Sequence, residues 1–582
     1  MKNTTQINRT EPLPVTAVRV LLQHPFVATA IACFFCMTVT TSKVTLIGAA
    51  VPAVILCFFG ITGASAVSYK AAEKSRKSLM ICLSVISVAF SALIGYMLKV
   101  SKEPQLVVLN VGIGVVIGIG AYLWSKKKLD VRRTVILIMI LGFLMRLAFI
   151  ATIAITAKQH DAGSIEKMKG HLGYIAYLVE NSHLPDMDVR TVYQYYHPPL
   201  HHIIEAVWIK LQKAFSVPEA DIWENIQIMT MFYSCCCMIL SYKIFRALKL
   251  EGKGLIAAVA VVAFNPTFYI LAGSVNNDIL SITLILGAVL NTIYWYESRS
   301  MGRILCIAAC VGFGMMAKLS AWMVAPAIAF VFIFAFVKDL IKERSSWKKY
   351  AGQFSAFIVL CAPIALWWEV RNYITHRVPF NYVMRISDKS PQYIGNISPL
   401  KRLFDFSPYQ FENVGDQFTM YGGKYNEYNP LVGLFKTTCF DELFSKDHYK
   451  EISGLDAILF WTVVILGLVG FAAMIWCFFK DKKMCVAHKI FIGVLYATFF
   501  FSYYAFCLTF PHVCTENIRY AVPLIVIGAF FVGKALNILD DRSEKKEKLF
   551  TVPYILYLLL LTTIITYSAV SVITYDIIFV KG

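Results

Sequence analysis

Two acids and three cations in this 582-residue chain stand where long apolar runs stop. Asp161 follows one run and Asp278 opens another, Lys318 separates two runs, and Arg371 and Arg519 flank others. A positioned carboxylate can take the proton of a hydroxyl group. Lys and Arg can neutralise charge that builds on a departing phosphate, and the Arg fork suits phosphate oxygens better. Each residue also has an ordinary reading. The acids could cap the helices that follow them, and the cations could be interfacial anchors whose heads reach water. Against that, a cation at the bilayer centre costs about 2.5–3.5 kcal/mol on insertion scales, so cations within spans are usually functional.

The elements that must hold these residues are membrane helices. Apolar and aromatic residues make up 58% of the chain, charged ones 16%, and mean hydropathy is +0.62. Soluble domains run at about 45–50% and about 25%, which excludes a soluble multidomain enzyme and a disordered chain. At about 20 apolar residues per crossing, spans are expected near 25–41, 44–67, 79–98, 106–124 and 134–157. More follow near 226–245, 255–271, 279–296, 304–317, 319–337 and 351–369, then 456–479, 490–509, 520–537 and 552–575. The expectation is an all-α polytopic membrane protein of about fifteen transmembrane helices. The first run lacks a small-x-small cleavage site after it and reads as a retained span.

A net charge of +19 would point to nucleic acid in a soluble protein. Here basic runs fill 69–77, 126–133, 243–253, 338–349 and 480–489, and the mixed run 540–548 joins them. With Lys2, Arg9 and Arg19 in the cytoplasm, every run falls on that side, as the positive-inside bias requires. The charge then sets orientation in a plasma membrane and implies no nucleic-acid partner. The long polar segments 158–225 and 370–455 are expected outside, and so is the C-terminus.

Segment 158–225 holds the densest pattern. An amphipathic helix is expected over Ile165 to Val179, then the turn Asn181-Ser182-His183-Leu184-Pro185, then Tyr193-Gln194-Tyr195-Tyr196-His197-Pro198-Pro199-Leu200. The double proline starts a second amphipathic helix, His201 to Phe215, and both helices are expected to lie along the interface. Segment 370–455 is rich in Tyr, Phe, Asn and Gly, as in Tyr421-Gly422-Gly423-Lys424-Tyr425, which suits either a cover over an acceptor or a small folded cap.

An Asp just past a span, an interfacial helix, a Leu-Pro turn and Tyr-x-x-His-Pro-Pro-Leu together resemble the first outer loop of GT-C superfamily glycosyltransferases. The likeness is to the protein O-mannosyltransferase and lipid A aminoarabinose transferase branch. Phe264-Asn265-Pro266, Ser274-Val275-Asn276-Asn277-Asp278, Ala317-Lys318-Leu319-Ser320, Trp367-Trp368-Glu369-Val370-Arg371-Asn372-Tyr373 and Cys514-Thr515-Glu516-Asn517-Ile518-Arg519-Tyr520 are similar to later landmarks. The resemblance covers about 134–520. It divides the chain into an added four-helix module at 1–133, a GT-C-like core at 134–369, an outer segment at 370–455, and C-terminal helices at 456–582.

The resemblance implies sugar transfer from a polyprenyl-phosphate donor to an extracytoplasmic acceptor (protein, wall polymer or lipid), with inversion. Asp161 would be the general base and Asp278 a second acid. Lys318, Arg371 and Arg519 would hold phosphate, with His197, Tyr196 and Asn277 as further substrate-binding candidates. The chain departs from many relatives at Ala162, where they carry a second acid, and at His197, where they often carry Lys. Tyr196 also stands where some have an acid that helps hold a metal.

No cofactor is implied with certainty. His197, His201 and His202 raise a zinc reading, but HExxH is absent, so a divalent metal is open and unsupported. The fifteen cysteines read mostly as small hydrophobes; Cys439 and Cys514 are the two expected outside, and spacing leaves their pairing open. Two rival classes remain: a transporter or flippase of lipid-linked sugars, and a non-catalytic scaffold. Transporters tend to place ionisable groups at mid-membrane in related halves, and no such repeat is visible here.

Overall fold

The computed structural model describes residues 23–40, 104–157, 160–412, 427–441, 450–544 and 551–581, with isolated positions among 81–92 and 414–425. The expected span 44–67, most of 79–98, the basic run 69–77, and Lys2, Arg9 and Arg19 lie outside the described residues.

Among the described residues the fold is helical, apart from a two-residue hairpin pairing Met420–Tyr421 with Lys424–Tyr425. Nine helices among the described residues are long and apolar enough to cross a membrane, or ten if the bent pair Gly252–Ala263 and Pro266–Gly273 counts as one span. Leu109–Ser125 and Met301–Ala317 are apolar but shorter. The protein is therefore a multi-pass membrane protein; the described residues do not confirm the expected count of about fifteen, because the expected spans 44–67 and most of 79–98 lie outside them.

Two helices depart from straight spans, and both departures build the site. The expected span 255–271 breaks by 42° at Phe264-Asn265-Pro266, because Pro266 has no N–H to continue the ladder. Asn265 caps the second half by accepting from the Thr267 N–H at 3.1 Å. The carbonyls near the break find side chains: Tyr567 donates to Val261 at 3.0 Å, Arg146 to Ala263 at 3.1 Å and Ser571 to Phe264 at 2.6 Å. Such partners are needed because an unsatisfied backbone group in hydrocarbon costs several kcal/mol. The shortened second half ends at Gly273, leaving a buried turn that delivers Asp278 to the start of the helix Asp278–Ser298. The second departure is at Lys318, which is extended (φ −151°, ψ 126°) between the helix Met301–Ala317 and a 3-10 turn at Leu319–Val324.

The helix Asp278–Ser298 packs on Met301–Ala317, which packs on Trp347–His376, and Gly252–Ala263 packs on Pro523–Glu544. That last pair touches closely at two glycines. A Cβ on Gly254 would meet the Gly533 carbonyl at 2.3 Å, and one on Gly533 would meet the Gly254 carbonyl at 2.4 Å. Small residues allow such an approach between membrane helices.

The first polar segment differs from expectation. Its helix runs Gly170–Asn181 rather than from Ile165, and Gly170 to Leu178 are all buried. It is a packed helix. The cause is local: Gly163 and Gly170 have φ of +75° and +76°, and Ser164 pairs with Lys169 across a tight turn. The second helix, Leu200–Ala214, falls where expected. Segment 370–455 contributes short helices at Pro399–Phe404 and Pro430–Phe440. Cys439 is a buried free thiol and is not joined to Cys514.

Arg146 is fully buried and also donates to Ser234 Oγ at 2.9 Å and the Gly142 carbonyl at 2.7 Å. Arg146→Leu removes these charged hydrogen bonds, each worth about 1.5–3 kcal/mol. Thermal unfolding of the purified protein in detergent should show a clear loss of stability; an unchanged midpoint would mean the break is satisfied without it.

Candidate functional site

The two polar segments meet at one end of the helix bundle. Arg190 donates to the His376 carbonyl at 3.0 Å, Trp368 Nε1 to the Tyr196 carbonyl at 3.2 Å, and His160 Nε2 lies 2.7 Å from Asp441 Oδ2. Between them is a cavity of about 690 Å³, within the size range of ligand pockets.

Asp161 is placed on its wall by the tight turn. The carbonyls of Asp161 and Ala162 accept from the N–H groups of His171 and Leu172 at 3.0 and 2.9 Å, so the turn folds back on the start of its helix. Glycine is required at the crossing, since a Cβ on Gly163 would lie 1.9 Å from the Lys169 carbonyl oxygen. Asp161 itself has a φ of +58°, a left-handed conformation that Asp tolerates better than most residues.

From Asp161 a chain of charges crosses the wall. Asp161 Oδ1 accepts from the Tyr193 hydroxyl, and Oδ2 lies 3.1 Å from Arg519 Nη1. The same Nη1 is 3.9 Å from Asp278 Oδ2, and Asp278 Oδ1 pairs with Lys318 Nζ. Tyr520 adds its hydroxyl to Arg519 Nη2 at 2.7 Å, and its ring lies 5.2 Å from Lys318 Nζ. Arg519 is held by its backbone, because Asn517 Oδ1 accepts from the Arg519 N–H at 2.9 Å. Asn517 Nδ2 in turn donates to Asp441 at 2.6 Å. Asn277 Nδ2 donates to the Ala317 carbonyl at 2.6 Å, tying the Asp278 turn to the Lys318 break.

Burial alone would push the Asp161 carboxyl up, but the Arg519 guanidinium and the Tyr193 hydroxyl outweigh it and hold the group well below the usual carboxylate range. The Tyr193 phenol moves upward, through burial and the neighbouring carboxylate. Burial lowers His171 and His197, and His201 is pushed down to about 4. Among the described residues, no three His, Cys, Asp or Glu side chains converge in metal-holding geometry.

Seven of the eight residues singled out in the sequence line this cavity: Asp161, Tyr196, His197, Asn277, Asp278, Lys318 and Arg519. Arg371 does not. Its guanidinium pairs with the Pro185 carbonyl, donates to Asn372 at 2.8 Å, and lies 4.9 Å from the Trp368 ring. Glu369 lines the cavity instead, since residues two apart on a helix point to nearly opposite faces. Sequence reasoning gave no role to Tyr193, His171 or Arg385, which also line it. Tyr193 sits inside the motif already noted; His171 and Arg385 carry no spacing signal.

Residues 197–367 match the family model described as dolichyl-phosphate-mannose-protein mannosyltransferase. The matched stretch contains His197, Asn277, Asp278 and Lys318, while Asp161 and Arg519 lie on either side of it. No curated protein matches the chain in sequence. Among solved structures, the chain is similar to the archaeal oligosaccharyltransferase AglB from Archaeoglobus fulgidus in complex with an inhibitory peptide and a dolichol-phosphate. Identity is 12% and the TM-score 0.43, covering 76% of this chain and 55% of that one. The apo form of the Archaeoglobus fulgidus oligosaccharyltransferase gives 12%, 0.40, 75% and 56%. The chain thus spans a little over half the length of these structures.

The Asp161 pairing has a measurable consequence. A carboxyl held below its unfolded value of about 3.9 adds stability that is complete well above that pH and is lost as pH falls through the folded value. Between pH 6 and pH 3 the wild type should lose about 1 kcal/mol relative to Asp161→Asn, read from thermal midpoints at both pH values. An identical difference at both would mean that Asp161 is unpaired.

Proposed function

We propose that this chain is a membrane glycosyltransferase that moves a sugar from a polyprenyl-phosphate donor to a hydroxyl acceptor outside the cytoplasm. The observation that carries the reading is the Asp161–Arg519–Asp278–Lys318 chain on the cavity wall. The acceptor oxygen attacks the anomeric carbon, the bond from that carbon to the phosphate oxygen breaks, and the lipid phosphate leaves with the electron pair. The acceptor proton passes to Asp161. A single displacement inverts the anomeric centre.

Charge explains why two cations stand with two acids. The four groups sum to zero, so a bound phosphate competes with the acids for Arg519 and Lys318. As Arg519 turns toward phosphate, Asp161 loses the neighbour that holds its proton affinity down and becomes a better base. The cations gain most as the leaving phosphate takes up charge, which is transition-state stabilisation. Asp278 keeps both cations in place. Arg371 braces the Pro185 turn rather than the donor.

Element order supports the orientation. The helix Val131–Thr152 leaves a basic run and leads toward Asp161, Gly252–Ala263 leaves another and leads toward Asp278, and Val486–Thr509 leaves a third and leads toward Arg519. With these basic ends in the cytoplasm, as the positive-inside bias favours, the cavity would face outward. Nucleotide sugars are cytoplasmic, which favours a lipid-linked donor; the matched family's description, with its dolichyl-phosphate-mannose, agrees.

The test uses the purified full chain in nanodiscs with polyprenyl-phosphate sugars, beginning with dolichyl-phosphate mannose, and a panel of peptide, glycan and lipid acceptors. Released polyprenyl phosphate is the readout. Asp161→Asn should lower transfer by about 10²–10⁴-fold. Unchanged transfer would overturn the mechanism. No transfer from any donor, together with measurable lipid translocation, would favour a transporter.

A further inference from the structure

Asp441 follows the helix Pro430–Phe440 and has no part in the reaction above, yet it joins the neighbours of two residues that do. Its Oδ2 lies 2.7 Å from His160 Nε2, and His160 directly precedes Asp161. Its Oδ1 accepts from Asn517 Nδ2 at 2.6 Å, and Asn517 Oδ1 accepts from the Arg519 N–H at 2.9 Å. The circuit closes through Arg519 Nη1 and Asp161 Oδ2 at 3.1 Å. A backbone N–H can only donate, so Asn517 turns its oxygen to Arg519 and its NH₂ to Asp441. An ionised carboxylate only accepts, so His160 presents a proton on Nε2. His160, Asp441 and Asn517 are all buried.

The backbone at Asp441 has φ 57° and ψ −179°, a region that glycine enters easily and other residues rarely. Glycine there would have no carboxylate to join His160 to Asn517. The helix that leads to Asp441 is fastened to the same surroundings. Thr437 Oγ1 accepts from the Ile518 N–H at 2.9 Å, next to Arg519. Thr267 Oγ1 donates to the Thr438 carbonyl at 3.3 Å, from the short helix Pro266–Gly273 that leads to Asp278. Gly433 allows a close approach, since a Cβ there would lie 2.9 Å from Glu516 Cβ.

We propose that Asp441 is a positioning residue for the transfer: by holding His160 and Asn517 together it sets the spacing of Asp161 and Arg519. This deepens the transfer reading above and rests on it. In that reading Arg519 turns toward the phosphate, and its contact with Asp161 opens. That contact can then no longer fix the base relative to the cation. The links through Asp441 involve neither the Arg519 guanidinium nor the Asp161 carboxylate, so they persist when the contact opens. The base then stays where the acceptor hydroxyl meets it. A misplacement of about 1 Å in reacting groups can cost about 10²-fold in rate.

The experiment measures kcat and donor KM in nanodiscs for wild type, Asp441→Asn, His160→Phe, His160→Gln and the double variant Asp441→Asn/His160→Phe. Each is first shown to elute as a monodisperse species. The probe is dolichyl-phosphate mannose, or whichever panel donor the wild type uses. Asn matches Asp in shape and in its tolerance of positive φ, but its NH₂ faces one of the two donors and leaves that donor unpaired. Asp441→Asn should lower kcat by about 10- to 100-fold, with donor KM within about threefold of wild type. His160→Phe keeps a ring but no donor and should cost roughly tenfold in kcat. His160→Gln, whose amide still donates, should recover most of that loss. The double variant should lose less than the product of the single losses, because both changes cut the same link. Wild-type kcat in Asp441→Asn overturns the inference alone, as does a loss confined to KM, or single losses that multiply. A wild type that transfers nothing overturns the transfer reading and this inference with it. If Asp441→Asn does not assemble, the His160 variants decide: equal kcat in His160→Phe and His160→Gln overturns the inference.

Discussion

One guanidinium between two carboxylates is the constraint on which the site depends. Arg519 stands within 4 Å of both Asp161 and Asp278, and without it two acids would share a partly buried wall at a heavy electrostatic penalty. Lys318 completes the balance from the far side of Asp278. Since the four residues come from segments far apart in sequence, bringing them together requires the whole bundle to be assembled.

That assembly relies on places where regular helix stops. Asp161 occupies a left-handed turn, Asp278 follows a proline break, Lys318 interrupts a helix, and Arg519 sits in a 3-10 turn. In a membrane such stops are tolerated only where the freed backbone groups find partners. Arg146, Asn265, Tyr567 and Ser571 supply them around the proline break. Asn517 and Asn277 do the same work nearer the cavity, each joining one charged residue's backbone to another segment. Irregular backbone and charge therefore occur together: each polar residue of the site is reached through a local break, and each break is secured by a buried polar side chain.

Much of this was legible in the sequence. Apolar runs mark nearly every described helix to within a few residues, because the bilayer fixes their length and composition. Asp161, Asp278, Lys318, Arg371 and Arg519 stood out as charges at the ends of those runs, and all but Arg371 line one cavity; Tyr196, His197 and Asn277, marked by the family resemblance, line it as well. What was not legible followed from geometry finer than hydropathy. The expected amphipathic helix from Ile165 ignored two glycines whose positive φ values force a turn, so the helix starts five residues later. The 255–271 run looked continuous because its break lies among apolar residues, although Asn265-Pro266 carried the signal. Arg371 stood out as a cation at a helix end, but its guanidinium pairs with the Pro185 carbonyl, while Glu369, two residues earlier on the helix, lines the cavity. His160 and Asp441 could not be paired from sequence, since their contact depends on how the two polar segments meet.

In the proposed transfer, this charge chain receives a lipid phosphate beside Asp161. Single-particle structure determination of the chain with a non-transferable polyprenyl-phosphonate sugar tests it directly. The phosphonate oxygens should lie within hydrogen-bond reach of Arg519 and Lys318, with Arg519 drawn away from Asp161 and the sugar filling the cavity, its anomeric carbon open toward Asp161. A phosphonate bound elsewhere, such as at Arg371, with the four charged residues still paired among themselves, would contradict it.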